Sequence, residues 1–247
     1  MKKLIGLSTS FPLRLFLYLT LLLLMTSQLP AQESVVLLHG LARQAASMQK
    51  MARALEERNY QVINIGYDSR HHDIETLAKD VRGRILTKTQ NAEALHFVTH
   101  SLGGILIRQI QATDPIANLK RVVMLSPPNH GSEVVDRIGD WKLFDMINGP
   151  AGQELGTVAD SFVNQLPPID FECGVITGDR SINWINSCMI PGKDDGKVSV
   201  ESAETEELKA FKVVHATHPM IMKKKSVIQE VVTFLKTGAF SNATGKK

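Results

Sequence analysis

The chain is short of the features that mark a specialised class. Aromatic residues make up 6% of its 247 residues and charged residues 21%, against 43% hydrophobic. That balance excludes a fibrous or disordered chain and leaves ample material for a core. It holds two cysteines, Cys173 and Cys188, with no further Cys or His at a ligand interval from either, so no zinc pattern is present. The pair allows one disulfide in an exported chain, or two buried free thiols. His71 and His72 read as solvated loop residues rather than metal ligands, and no metal or other cofactor is expected. Repeats and low-complexity segments are also lacking, and the length suits one large domain or two small ones.

A long hydrophobic span is missing as well. The longest apolar run, Leu15 to Met25 ("LFLYLTLLLLM"), is shorter than the roughly 20 residues that cross a bilayer. It follows a basic start at Lys2 and Lys3 and precedes "TSQLPAQ", with Ala31 at a small-residue boundary. This order reads as a secretory signal over residues 1–31; an uncleaved anchor is the alternative. The expected location is outside the cytoplasm, periplasmic or secreted. Setting aside Lys2, Lys3 and Arg14 leaves 25 basic residues against 25 acidic ones, so the formal excess of +3 belongs to the leader. A neutral mature chain offers no electrostatic case for nucleic acid, which is bound by neutralising many phosphates.

From Glu33 onward, short apolar runs alternate with helical periodicities. "SVVLLHG", "QVINIG", "LHFVT", "RVVMLS", "CGVITG" and "FKVVHA" predict six strands. Between them, Met48, Met51, Ala52 and Leu55 repeat at helical spacing. Ile74, Leu77, Ala78, Val81 and Ile85 do the same behind Asp73, a candidate N-cap. Helices are expected from about Leu102 to Gln111 and around Val227, Val231 and Phe234, with a frayed tail after Gly238. The alternation predicts an α/β fold, a mainly parallel central sheet with helices on both faces. Its functional residues should then lie on loops beyond the carboxyl ends of the strands. The interval between the fourth and fifth strands exceeds forty residues and is rich in apolar, Gly and Pro positions. It reads as a short helical cap insertion over about 131–170, or as an ordinary extra helical pair.

Ser101 stands where "LHFVT" gives way to a helical pattern. A strand-to-helix turn this tight projects a serine outward and demands small neighbours, which Gly103 and Gly104 supply. Thr99 occupies the position where G-x-S-x-G has its first glycine. A serine N-cap is the competing reading. A serine hydroxyl needs a base to take its proton and an acid to orient that base. The order Ser, Asp, His is met by Asp195, in "GKDDGKVSV", and His218, in "VVHATHPM". Asp194 and Asp179 are rivals for the acid. His215 is the rival base, expected instead to sit in the strand and pack. Backbone amides of Leu41 and Leu102 are candidates for an oxyanion hole, with Gly40 permitting close approach and His39 bracing the loop.

With these residues assembled, "VVLLHGLA", "FVTHSLGGIL", "VVMLSPPNHGSE", "DDGKVSVESA" and "HATHPMIM" resemble the α/β-hydrolase superfamily, and within it bacterial triacylglycerol lipases and esterases. The resemblance covers nearly all of residues 32–240, with 241–247 left as a flexible tail. It implies Ser101 as nucleophile, Asp195 as acid, His218 as base, and Leu41 and Leu102 as oxyanion donors. It further implies an exported serine hydrolase for carboxylic esters, acting on a small-molecule ester or lipid and touching a membrane surface transiently through the cap. Acyltransferase, thioesterase or amidase chemistry would use the same residues. A non-catalytic lipid- or partner-binding module is the reading from another class, and oligomeric state is not legible.

Overall fold

The computed structural model describes residues 33–90, 92–139 and 142–241. The expected signal at 1–31 and most of the 241–247 tail lie outside the described residues. In chain order the elements are β1 (Ser34–Leu38), a 3-10 turn (Ala45–Met48), α1 (Gln49–Glu56), β2 (Gln61–Ile65), α2 (Ile74–Lys88) and β3 (Leu95–His100). They continue with α3 (Leu102–Thr113), β4 (Leu119–Leu125), α4 (Glu133–Ile138), α5 (Lys142–Gln153), α6 (Phe162–Gln165) and β5 (Cys173–Gly178). The remainder comprises α7 (Trp184–Ser187), α8 (Val200–Ala203), β6 (Ala210–Val214), a 3-10 turn (Ile221–Lys223) and α9 (Lys225–Thr237).

The six strands form one sheet in the order β2-β1-β3-β4-β5-β6, and every pairing is parallel. The predicted α/β architecture is therefore observed. β1 and β3 are buried along their whole length, which explains why they read as apolar runs without alternation. Their side chains still alternate between faces. Val36, Leu38 and Phe97 join the layer under α2 and α3. Val35, Leu37 and Val98 join the layer under α1 and α9. The edge strands β2 and β6 are only partly covered, and β6 carries Lys212 in an ion pair with Glu230 at 2.8 Å, a charge that blunts an open edge.

Local signals placed the helices well. Asp73 caps α2 by accepting the Thr76 amide at 2.7 Å, which satisfies one of the first-turn donors that a helix leaves open. The chain runs from β1 to β2 on one side and from β3 to β4 on the other, so the ends of β1 and β3 flank the point where the strand order reverses, the usual place for a ligand in such a sheet.

The long interval between β4 and β5 carries α4, α5 and α6. α5 is broken at Gly149, where φ is 64°. It is docked on the β2–α2 loop: Ala151 N–H donates to His72 O at 3.2 Å, Arg70 Nη2 to Met146 O at 3.2 Å, and the Glu154 carboxylate accepts the Ile74 amide at 2.7 Å. The start of the insertion, at the head of α4, is tied to the β5–β6 side. Ser132 Oγ donates to Lys197 O at 2.7 Å, and Ser199 Oγ to Glu133 Oε1 at 3.0 Å.

Two expectations need correcting. The chain does not fray directly after Gly238, because Phe240 is buried against Phe234, ring centroids 5.0 Å apart, and Ser241 is held by Glu230 at 2.8 and 2.6 Å. A single aromatic after a helix-ending glycine gives no periodicity, so the sequence pattern could not show this packing. His215 does not pack within β6, which ends at Val214; its side chain is 70% exposed. Both cysteines are free, Cys173 buried in β5 and Cys188 exposed, and burial pushes the Cys173 thiol far up and leaves it inert. Phe240→Ala should lower stability by about 3 kcal/mol, the cost of emptying a buried aromatic site, read from urea denaturation midpoints.

Candidate active site

Ser101 sits between β3 and α3 with φ 53° and ψ −123°. A non-glycine residue held there stores on the order of 1–3 kcal/mol of backbone strain, which the surroundings must over-determine. They do so by hydrogen bonds and close contacts. Ser101 N–H donates to Leu125 O at 2.9 Å and Gly104 N–H to Ser101 O at 2.8 Å. A Cβ at Gly103 would lie 2.8 Å from Leu38 O, and one at Gly40 would lie 2.7 Å from His100 Nδ1 and 3.0 Å from Ser101 Cβ. The turn therefore presses against the end of β1 on both sides. The Ser101 hydroxyl makes no capping hydrogen bond, so the side chain is not used as the N-cap reading required.

Thr99 is fully buried on the face of β3 that meets α3. Its Oγ1 would be 3.4 Å from a Cβ at Gly104, with Pro127 Cβ closer at 3.0 Å and Met124 Sδ at 3.3 Å. Thr99 therefore leaves ordinary contact room beside Gly104, and a side chain at 104 would be crowded by Pro127 and Met124 instead.

Asp195 and His218 meet at the end of the sheet beside this turn. His218 Nδ1 lies 2.8 Å from Asp195 Oδ2, and His218 N–H donates to Asp195 O at 2.8 Å. The other carboxylate oxygen accepts the Lys197 and Val198 amides at 3.1 and 3.0 Å. Asp195 is 1% exposed and His218 3%. Burial alone would raise the Asp195 pKa, but the His218 charge and the hydrogen bonds from His218 and the Val198 amide outweigh it and hold the carboxyl below its ordinary value. An ionised Asp195 can only accept, so the proton rests on His218 Nδ1 and leaves Nε2 as the basic nitrogen.

The rival residues are employed elsewhere. Asp194 Oδ1 accepts Ser187 Oγ at 2.8 Å and the Gly196 amide at 2.7 Å, which makes it a turn residue. Asp179 pairs with the exposed His215 at 3.1 Å. His39 braces the β1 loop: Nδ1 donates to Gly40 O at 2.9 Å, Nε2 accepts the Tyr67 amide at 3.2 Å, and the two rings stack at 4.0 Å.

Ser101 and His218 line a cavity of about 320 Å³ together with Leu41 and the apolar Val134, Ile138 and Leu155 of the β4–β5 insertion. Leu41 follows β1, and its side chain packs against Gly152 of α5. Leu102 is the first residue of α3, where helix geometry leaves the amide without an intrahelical partner and the dipole favours negative charge. Among the described residues no cluster of His, Cys, Asp and Glu could hold a metal ion.

A match to a family model decides the kinship. Residues 34–165, just over half of the chain, fit the model described as palmitoyl protein thioesterase. The chain belongs to the palmitoyl protein thioesterase family. The matched stretch spans β1 through α6, so it includes Ser101 and the cavity's apolar wall but stops short of Asp195 and His218. No curated protein sequence is significantly similar. Solved structures share the fold of this thioesterase-family chain. A lipase of Bacillus licheniformis in its mature form is 18% identical, with TM-score 0.64 over 85% of this chain and 93% of that one. A metagenomic carboxyl esterase is 15% identical, with TM-score 0.59 over 78% and 66%. The Legionella pneumophila phospholipase PlaB is 19% identical, with TM-score 0.55 over 70% and 46%. The α/β-hydrolase fold and a lipase-, esterase- or thioesterase-like kinship are thereby established, as the sequence motifs implied.

Three groups escaped the sequence reading. His100, assigned no role from the sequence, is fully buried with its ring 4.8 Å from that of His218 and Nε2 3.0 Å from His218 O. It supports the segment that carries His218. Arg43 and Lys197 line the cavity; Arg43 directly follows "VVLLHGLA" and Lys197 lies within "DDGKVSVESA", but no role was assigned to either. Burial, reinforced by the positive charges of His218 and Arg43, holds the His100 pKa well below its ordinary value. The unfolded chain takes up a proton below about pH 6.5 that folded His100 refuses, so stability falls as the pH drops through that range. Urea titrations should accordingly give His100→Gln a shallower loss of stability than the wild type between about pH 6.5 and 5.

Proposed function

We propose that the protein is a serine hydrolase that cleaves acyl esters or thioesters through an acyl-enzyme on Ser101. The observation that carries this reading is the strained Ser101 turn sharing one cavity with a buried His218–Asp195 pair. In this mechanism His218 Nε2 takes the Ser101 hydroxyl proton as Oγ attacks the substrate carbonyl. The Leu41 and Leu102 amides receive the developing oxyanion. His218 then returns its proton to the departing alcohol or thiol as the acyl C–O or C–S bond breaks. Water repeats the sequence on the acyl-enzyme, which releases the acid and restores Ser101. Asp195 orients His218 and stabilises its charged form.

The apolar insertion wall over Ser101 suits an acyl chain, and exposed Met146 and Val158 on the same insertion would face a lipid surface in transient contact. Membership of the palmitoyl protein thioesterase family favours a thioester over an oxygen ester as the preferred substrate. The charged-then-apolar residues 1–31 support export, in keeping with the extracellular Paenibacillus hydrolase that shares the fold at TM-score 0.52.

A fluorophosphonate probe should label the wild type and fail to label Ser101→Ala. Asp195→Asn should lower kcat by on the order of 10³–10⁴-fold on acyl esters and thioesters. Asp179→Asn should stay close to wild type. Activity that survives in folded Ser101→Ala would overturn the reading. Varying the acyl chain from acetyl to palmitoyl on both ester and thioester then measures the cavity's preference.

A further inference from the structure

Two cations stand over the cavity without a counter-ion. Arg43, on the loop after β1, and Lys197, two residues past Asp195, are the charged side chains among its lining residues apart from the histidines, and no Asp or Glu lines it. Neither the guanidinium nor the ammonium enters a hydrogen bond or ion pair among the described residues. Arg43 is half-buried and Lys197 exposed at the rim. Loss of surrounding water and then the Arg43 charge lower the Lys197 pKa, with Asp195 acting the other way. The two positive charges are thus close enough to repel each other. Asp195 offsets them only in part: its oxygens are turned to His218 and to the Lys197 and Val198 amides, and it forms no ion pair with either cation. Like charges held together beside a cavity are an unfavourable arrangement in the empty protein, and an anion placed between them relieves it.

The position of the pair indicates which part of a substrate carries that anion. The acyl chain is provided for by Val134, Ile138 and Leu155 from the insertion. The leaving group must lie beside His218, which protonates it. Lys197 belongs to the loop that holds His218 by Asp195, and its carbonyl oxygen is itself fixed by Ser132 Oγ at 2.7 Å. Arg43 follows Leu41 on the loop that frames the opposite side of Ser101. Two cations match one phosphate monoester, which carries nearly two negative charges near neutrality, or the two singly charged phosphates of a pyrophosphate, and either accepts several charge-assisted hydrogen bonds.

We propose that Arg43 and Lys197 are specificity-determining residues that select acyl donors whose leaving group bears a phosphate. This rests on the serine-hydrolase reading above. The phosphate can come from a lysophospholipid headgroup or from an acyl-phosphopantetheine thioester, and the two share the recognised chemistry.

The test measures kcat/KM on matched pairs with one acyl chain. One arm compares 1-acylglycerol 3-phosphate with neutral 1-acylglycerol. The other compares acyl-coenzyme A with the neutral acyl-N-acetylcysteamine thioester. In at least one arm the phosphorylated member should be preferred by ~10-fold or more, and added salt should narrow the gap. The arm that shows the preference identifies the source. Arg43→Gln and Lys197→Gln should each lower the phosphorylated-to-neutral ratio by ~5-fold or more, while Lys197→Arg retains most of it. The ratio is internal to each variant, so a general loss of folding does not imitate the effect. Equal rates on both members of both pairs, or a ratio unmoved by the Gln variants, overturn the inference and leave the hydrolase reading standing. Failure to hydrolyse any of the four substrates, together with no fluorophosphonate labelling, overturns both.

Discussion

The backbone of Ser101 is the constraint on which the rest of the site depends. A side chain forced into positive φ survives only where neighbouring strands leave it no alternative. Here the Leu125 carbonyl holds its amide, and the end of β1 closes against Gly40 and Gly103 on either flank. The central, fully buried strands β1 and β3 thus serve as more than a core. Their packing sets the position of one hydroxyl, and the same turn begins α3.

Around this fixed point the other groups arrive from loops with different kinds of support. Asp195 is immobilised by backbone amides on one oxygen and directs the other to His218. His218 is further tied through its own backbone to Asp195 and to His100. His39 and Tyr67 stiffen the β1 loop by stacking and by sharing both ring nitrogens with backbone groups. Each of these histidines is fixed by a carbonyl, amide or carboxylate, and burial keeps His39 and His100 neutral.

The fold was legible because parallel strands covered on both faces read as near-continuous apolar runs, as those beginning at Val35, Leu95, Val122 and Cys173 do, while the edge runs beginning at Val62 and Phe211 admit Asn64 and Lys212. Asp73 showed itself by capping chemistry. The candidate site was legible where chemistry constrains residue type at a strand end, at Ser101, Asp195 and His218. It was not legible where only three-dimensional proximity matters. Arg43 and Lys197 are ordinary surface letters until the fold brings two distant loops to one opening. His215 misled because strand propensity does not say where an edge strand stops, and Phe240 because packing after a helix end leaves no period to detect.

Thr99 carries a consequence for tracing distant kin. It is fully buried beside α3 without crowding the helix, since a Cβ at Gly104 would lie 3.4 Å from its Oγ1. A fixed pattern that insists on glycine before the serine scores this chain as a defect. The glycine that the turn does demand is Gly103, whose Cβ would strike the carbonyl oxygens of Leu38 and His39 at 2.8 and 2.9 Å. A search that keeps the glycine after the serine and admits a small β-branched residue before it would retain chains built like this one.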